Sequence, residues 1–242
     1  MAEQNIVSVQ NSDSGITQLE RQLKSQSAKN QLKLIPELVE SGKAGLEVLQ
    51  KFLLQRQGDY TDVVIGKIYQ TLYQSNIPQT KEFLKANFPT GLVPLKTDKN
   101  VDYQVLQKLL AEQDFQGADR LTLEKLCELA GAEAQKRNWL YFTEVEQLPI
   151  TDLQTINNLW LSNSEGKFGF SVQREIWLSL GKDFYKLWHK ISWKQGNNWT
   201  RYPGEFIWDL SAPKGHLPLS NQLRGTRVIA SLLSHQAWTK KS

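Results

Sequence analysis

The 242-residue chain has little of the chemistry that metal sites and cross-links require: one cysteine, three histidines and one methionine. A single cysteine excludes an internal disulfide and a cysteine-rich zinc site. The histidines form no zinc-binding or haem-attachment motif. No run reaches the roughly 18 apolar residues of a membrane span, and the N-terminus resembles neither a secretory signal nor a transit peptide. We expect a metal-free cytoplasmic protein.

Catalytic motifs are also missing, so we predict no catalytic residues and no enzyme. Cys127 lies on the apolar face of a helical segment, which favours a core position over a nucleophile. Gly166-Lys167 is followed by Phe168, where a phosphate-binding loop needs serine or threonine. Nothing in the chain assembles an acid, a base and a nucleophile.

Tryptophan is abundant but confined to one part of the chain. All eight lie between Trp139 and Trp238. The basic residues follow the same trend: residues 176–242 hold ten Lys and Arg against three Asp and Glu, so they carry +7 in a chain of net charge +4. This asymmetry indicates two parts with different roles. By position, we assign seven tryptophans to the core (Trp139, Trp160, Trp177, Trp188) or to a loop (Trp193, Trp199, Trp208) and leave Trp238 unassigned.

Residues 15–88 consist of short helical patterns. Apolar residues recur there at spacings of three and four, separated by glycine and asparagine. Short helices with short connections predict a helical bundle or a HEAT-like stack, which we interpret as a scaffold or docking unit. We expect residues 1–14 to be disordered and residues 89–100, with prolines and polar residues, to be a linker.

Residues 101–242 form the predicted second domain, which is again helical. Asp114 and Gly131 are placed to begin and end one helix. Thr151 to Gln154 fits a capping box ahead of another. Alternation typical of strands is almost absent, so the fold class is all-α.

The helical signal fails from residue 191 to residue 220. Loops of about thirty residues in compact domains are functional or disordered, and the aromatic content of this one argues against disorder. The loop contains five aromatic residues (Trp193, Trp199, Tyr202, Phe206, Trp208). We predict a binding function for it.

Two further features predict a ligand that is flat, apolar and acidic. Phe142 ends the run Trp139-Leu140-Tyr141-Phe142, which a helix cannot bury on all sides. Asn221, Arg224 and Arg227 recur every three residues near the C-terminus, and the guanidinium fork of arginine matches a carboxylate. Two alternatives stay open on these residues alone: a nucleic-acid groove built from basic and aromatic side chains, and a protein-interaction scaffold whose tryptophans are all core.

Several long motifs resemble the Genomes Uncoupled Four family, in its cyanobacterial form. They are DLQTINNLW at 152–160, GKFGFSVQ at 166–173, WTRYP at 199–203, WDLSAPKGHLP at 208–218 and NQLRG at 221–225. The resemblance extends over residues 92–242.

The resemblance implies a non-enzymatic regulator of chlorophyll synthesis that binds protoporphyrin IX and its magnesium complex. It implies stimulation of magnesium chelatase through the large porphyrin-binding subunit, with no nucleic acid as partner. We expect a monomer, with peripheral membrane association that depends on ligand. The porphyrin would contact Phe142, Tyr202, Phe206, Asn221, Arg224 and Arg227, with Trp199 and Trp208 in the same mobile loop. Some relatives have tryptophan where this chain has Tyr202, which keeps an aromatic face.

Overall fold

The structure is a computed structural model that describes residues 15–220 and 225–239, and these are mostly helical, as predicted. It divides into two compact units, one ending at Pro89 and the other beginning at Thr90. The predicted disorder of residues 1–14 concerns residues outside the described ranges. None of the helices within those ranges combines the length and apolar character that a membrane span requires.

The first unit buries one apolar face of each helix. Leu38, Leu49 and Ile65 are fully buried at its centre. The helices Ala28–Glu40 and Gly42–Gln55 cross so closely that a Cβ on Gly45 would lie 1.8 Å from the carbonyl oxygen of Leu38. The helices described for this unit are α1 (residues 15–25), α2 (Ala28–Glu40), α3 (Gly42–Gln55), α4 (Val63–Gln74) and α5 (Pro78–Asn87).

The second unit contains shorter helices, a small hairpin and a long irregular segment. Its elements are α6 (Gln104–Ala111), α7 (Phe115–Ala130), α8 (Ala132–Arg137), α9 (Phe142–Val145), α10 (Ile150–Asn163), α11 (Phe170–Ser179), α12 (Phe184–Lys190), β1 (Lys194–Gln195), β2 (Asn198–Trp199), α13 (Arg227–Ser234) and a final 3-10 helix (Gln236–Trp238). Helix α13 packs against both α9 and α11.

Two predicted helix ends are confirmed in α7. The Asp114 carboxylate accepts a hydrogen bond from the Gly117 amide at 2.8 Å, and Gly131 ends the helix with a φ of +115°. Cys127 lies in the core, 1% exposed, as predicted. Burial raises the pKa of its thiol to about 11, so the reactive thiolate is scarce near neutral pH.

The predicted capping box at Thr151 is wrong, because α10 already begins at Ile150 with Pro149 as its N-cap. Asp152 instead points into the core. Its carboxylate accepts hydrogen bonds from the Tyr103 hydroxyl at 2.7 Å and from the Asp98 amide at 2.9 Å. A buried carboxylate requires such partners, and here they join α10 to the segment ahead of α6.

The segment from Thr90 towards α6 is irregular but packed within the second unit. Leu92 and Val93 are buried. The Gln107 side chain accepts from the Val93 amide at 3.1 Å and donates to the Thr90 carbonyl. The linker predicted over residues 89–100 stays a prediction. From Thr90 onwards, these hydrogen bonds attach the segment to α6.

The hairpin of β1 and β2 is a small exception to the all-α prediction. Lys194 pairs with Trp199, and Gln195 pairs with Asn198. The turn between them is Gly196-Asn197, where Gly196 has a φ of +56°. A glycine-asparagine pair between two short strands is a recognised hairpin signal, so the sequence contained the information needed to find it.

Candidate functional site

The loop at residues 191–220 rests on a buried aromatic cluster. Trp193 is fully buried and stacks on Trp188, with ring centroids 5.4 Å apart and 8° between the planes. Its Nε1 donates to the His216 carbonyl oxygen at 2.7 Å. Trp193 is therefore core, although the sequence places it in the loop. The buried members of this cluster are Trp177, Leu187, Trp188, Ile191, Trp193, Phe206, Ile229 and Leu233.

Three of the predicted porphyrin-binding residues lie together at this cluster, of which Phe206 is itself a member. Phe206 is buried, whereas Trp208 is half-buried and Tyr202 is 51% exposed. The Tyr202 and Trp208 rings meet edge to face at 5.8 Å, and each lies about 6 Å from Phe206. The Trp208 Nε1 donates to the Pro203 carbonyl at 3.0 Å. These contacts leave an aromatic surface open to solvent over a buried floor.

Trp199 is placed elsewhere. Its ring packs against Trp188 at 5.7 Å, and the Lys194 ammonium lies 5.4 Å from its centroid. Its described ring contacts are thus with α12 and the hairpin, whereas Tyr202, Phe206 and Trp208 contact one another.

The end of the loop is held by side chains of helices α11 and α7. The Gln173 Nε2 donates to the carbonyls of Gly215 and Pro218 at 3.0 and 2.8 Å. The Asp119 carboxylate accepts from the Leu219 amide at 2.6 Å. Neither residue can be recognised from the sequence as an anchor of the loop, because each bonds to backbone atoms more than forty positions away.

Asp119 is a buried acid beside the aromatic surface. Burial raises the pKa of its carboxyl group to about 7, and the hydrogen bond from Leu219 opposes this rise. Burial also raises the pKa of Tyr202, with a further contribution from the Asp119 carboxylate, while Arg120 lowers it. Residues of α7 therefore act electrostatically on the exposed tyrosine of the loop.

We predict that Asp119→Asn stabilises the second unit at pH 8. The native carboxyl keeps its proton up to about pH 7, whereas the unfolded chain loses it near 3.8, so wild-type stability falls as the pH rises between those values. The amide retains an acceptor for Leu219 without this penalty. At pH 8 the gain in free energy of unfolding should be on the order of a few kcal/mol, since each unit of pKa difference corresponds to about 1.4 kcal/mol, and at pH 4 it should vanish.

Urea unfolding followed by tryptophan emission measures this effect in the second unit, because every tryptophan lies there. The control is Asp102→Asn, at an exposed aspartate that also accepts a backbone amide, and it should change stability little at either pH. If Asp119→Asn is less stable than wild type at pH 8, the carboxyl is ionised and favourable in the native protein.

Phe142 and Arg227 form a second predicted pair that the fold brings together. The Arg227 guanidinium carbon lies 5.7 Å from the Phe142 ring centroid. The Ser231 hydroxyl of α13 donates to the Phe142 carbonyl at 3.1 Å, which ties α13 to the start of α9. Arg227 is exposed and Phe142 is half-buried. The pair offers a cation beside an aromatic face.

Hydrogen bonds of Glu144 fix the backbone next to Phe142. Glu144 accepts from the backbone amide of Tyr141 and from the Arg137 guanidinium, both at 2.7 Å. Arg137 also lies over the Trp139 and Tyr141 rings. Trp139 is part-buried and Tyr141 is 48% exposed, so the assignment of Trp139 to the core is wrong and Leu140 takes the buried position.

The two groups of site residues share one core. Ile229 and Leu233 of α13 belong to the same buried cluster as Phe206. The helix that contains Arg227 and the loop that contains Tyr202 therefore pack on one hydrophobic cluster. Asn221 and Arg224 lie outside the described residues. Within the described ranges, no group of three or more His, Cys, Asp or Glu could hold a metal ion.

Two family models match the chain. Residues 96–236 match a family described as GUN4-like, and residues 7–89 match an ARM-like repeat domain described as GUN4-N terminal. The N-terminal match ends at the boundary between the structural units, and the other match begins at residue 96, within the second unit.

Individual relatives extend this likeness. A Ycf53-like protein from Synechocystis is 50% identical over 226 residues, which are 93% of this chain and 97% of that protein. A chloroplastic tetrapyrrole-binding protein from Arabidopsis thaliana is 41% identical over 145 residues, or 56% of this chain and 55% of that protein. The GUN4 structure from Chlamydomonas reinhardtii has a TM-score of 0.58 and 44% identity, covering 61% of this chain and 95% of that one.

Proposed function

The chain belongs to the GUN4-like family, and we propose that it is a porphyrin-binding regulatory protein that stimulates magnesium chelatase in chlorophyll synthesis. One observation carries the binding part of this proposal. The loop exposes Tyr202 and Trp208 over a buried aromatic floor, while Arg227, on a helix packed into the same core, lies over Phe142.

A porphyrin has the chemistry that this surface can recognise. Its macrocycle is a wide apolar disc, which aromatic side chains cover by stacking and edge contacts. Its two propionates are carboxylates, which arginine binds with paired hydrogen bonds. The ligands we propose are protoporphyrin IX and magnesium protoporphyrin IX. The tetrapyrrole-binding name of the Arabidopsis relative supports this ligand class.

Membership of the GUN4-like family, rather than a reaction at this site, supports the proposed regulatory role. We propose that the protein has no catalysis of its own and presents the porphyrin to the large porphyrin-binding subunit of magnesium chelatase. The loop at 191–220 would close on the disc and expose one edge of it to that partner. The first unit would then serve as a docking element, a role in keeping with its match to an ARM-like repeat domain.

A fluorescence titration tests the binding. Adding the soluble analogue deuteroporphyrin IX should quench tryptophan emission at micromolar ligand, because Trp208 lies in the proposed contact surface. Tyr202→Ala should weaken binding about tenfold through the loss of an aromatic contact. Tyr185→Ala is the matched control, since Tyr185 is a similarly exposed tyrosine of the same unit, on α12 (56% against 51%).

Three outcomes would contradict the proposal. Unchanged emission up to micromolar porphyrin would remove the binding function itself. Equal losses for the two tyrosine variants would place the ligand elsewhere on the unit. Tight binding that Tyr202→Ala weakens, together with no change in the rate of a reconstituted chelatase, would leave the ligand site in place and remove the regulatory role.

A further inference from the structure

His216 joins two distant points of the aromatic loop through its ring. The side chain is buried, 1% exposed. Its Nδ1 lies 2.7 Å from the carbonyl oxygen of Ile191, where the loop begins, and its Nε2 lies 3.1 Å from the amide nitrogen of Ile207. Ile207 stands between Phe206 and Trp208 in the chain, so this bond holds the backbone that carries the two aromatic rings.

These partners allow one protonation state only. A carbonyl oxygen can only accept a hydrogen bond, and an amide N–H can only donate one. Nδ1 must therefore carry the proton, and Nε2 must be bare. In the imidazolium form, an Nε2–H would face the Ile207 N–H, and the bond to the middle of the loop would be lost.

The backbone of His216 adds two further ties. Its carbonyl accepts from the buried Trp193 indole at 2.7 Å, and its amide donates to the Pro213 carbonyl at 3.0 Å. The ring also packs on Phe206 with centroids 5.3 Å apart. One residue thus connects the start, the floor and the middle of the loop.

The surroundings of the ring favour the neutral form. Burial lowers the pKa of His216 below its usual 6.5, and the bond to the Ile191 carbonyl opposes this. The charged side chains of the adjoining loop, Arg201, Glu205, Asp209 and Lys214, are exposed. Across the loop, Asp119 binds the Leu219 amide, and the Tyr202 ring lies 6.4 Å from Phe206.

We propose that His216 is a positioning residue for ligand binding. As a neutral imidazole it holds the aromatic surface in place, and its protonation releases the loop and lowers the affinity for the ligand. This inference rests on the proposed porphyrin binding and adds to it a pH range in which the ligand is released. Acidification below about pH 6.5, the ordinary value for histidine, is the direction of release.

The first test reads the tautomer directly. Long-range proton–nitrogen NMR spectra of the imidazoles in the full-length protein should show His216 protonated at Nδ1 and bare at Nε2 at pH 7.5. The Ile207 amide should exchange slowly with deuterium at that pH and faster as His216 takes up a proton. A His216 ring that is protonated at Nε2 at pH 7.5 would overturn the inference without any variant.

The second test uses variants that each keep one of the two bonds. In His216→Asn the amide nitrogen stands near the place of Nδ1 and can still donate to Ile191. In His216→Gln the amide oxygen can reach the place of Nε2 and accept from Ile207. Both should bind deuteroporphyrin about tenfold more weakly at pH 7.5, and their affinities should change less than that of wild type between pH 7.5 and pH 5.5.

His235→Asn is the matched control. His235 is another buried histidine of the same unit whose pKa burial lowers, but its Nδ1 accepts from the Ala237 amide at the C-terminal 3-10 helix, away from the loop. This variant should keep the wild-type affinity and pH profile. Because the ligand is the same in every titration, protonation of its propionates affects all the proteins alike.

The outcomes separate this inference from the function on which it rests. If wild type binds porphyrin and the His216 variants share its affinity and pH profile, the inference is overturned and the proposed function stands. If wild type binds no porphyrin, the proposed function fails, and the positioning role is judged on the Ile207 amide, whose exchange must accelerate in His216→Asn, the variant that removes its acceptor, and less in His216→Gln, which keeps one. Variants too unstable to study leave the wild-type NMR measurement to decide.

Discussion

Replacing Trp193 by alanine should lower the free energy of unfolding of the second unit by about 4 kcal/mol, as expected for a fully buried large aromatic residue. The indole is completely buried, stacked on Trp188, and its Nε1 bonds to the carbonyl of His216. Alanine would leave a cavity under the loop and an unpaired buried carbonyl. Urea unfolding followed by the emission of the remaining tryptophans measures the change in this unit alone.

Two further substitutions divide this effect into its parts. Trp193→Phe keeps an aromatic ring on Trp188 but removes the Nε1–H, so it should cost about 1–2 kcal/mol. Trp208→Ala removes a half-buried indole from the same loop and should cost less than Trp193→Ala while weakening porphyrin binding more directly. If Trp193→Ala and Trp208→Ala lower the free energy of unfolding equally, Trp193 contributes no more to the stability of the core beneath the loop than a half-buried loop residue does.

The helices of the first unit can be predicted from the spacing of apolar residues in the sequence. Each of these helices buries one stripe, so a local pattern is enough to locate it. The same holds for Asp114 and Gly131, since a cap acts on atoms within a few residues of it. Cys127 follows too, because the leucines on either side of it place it on a buried face.

Partners distant in the chain cannot be read in this way. The Thr151 to Gln154 pattern satisfies the local rule for a capping box, yet Asp152 bonds to Tyr103, 49 residues away. Asp119 bonds to Leu219 across 100 residues. Such pairings depend on how the helices cross, and no spacing along a single helix encodes that.

The same distinction between local patterns and distant partners applies to the candidate site. An aromatic loop and a basic C-terminal part are visible as composition, so Tyr202, Phe206 and Trp208 could be predicted as a group. Their arrangement over Trp193 and the anchoring by His216 could not, because those contacts use the backbone of a segment without regular structure. A tryptophan in a loop sequence looks exposed until the fold shows what covers it.

Arg227 shows how the structure sharpens a prediction that the sequence left general. It is the first residue of α13, where the positive end of the helix dipole disfavours a cation. Helix stability therefore does not explain an arginine at this place. A bound carboxylate would, since anions are favoured at that end of a helix, and Arg227 is exposed beside Phe142.

The double substitution Arg224→Ala with Arg227→Ala should accordingly weaken binding of deuteroporphyrin IX about 100-fold. Two charge-assisted contacts of about 1.5 kcal/mol each correspond to that loss. The dimethyl ester of the same porphyrin has no carboxylates, so its affinity should fall by less than about fivefold. The control is the double substitution Lys186→Ala with Lys190→Ala, which removes the same charge from exposed positions of α12. Parallel fluorescence titrations of the diacid and the diester measure all four combinations. If the arginine variant loses affinity equally for the diacid and the diester, the arginines contact the macrocycle or stabilise the fold instead of binding the propionates. If the lysine variant loses as much affinity for the diacid, the arginines act only through general electrostatic attraction.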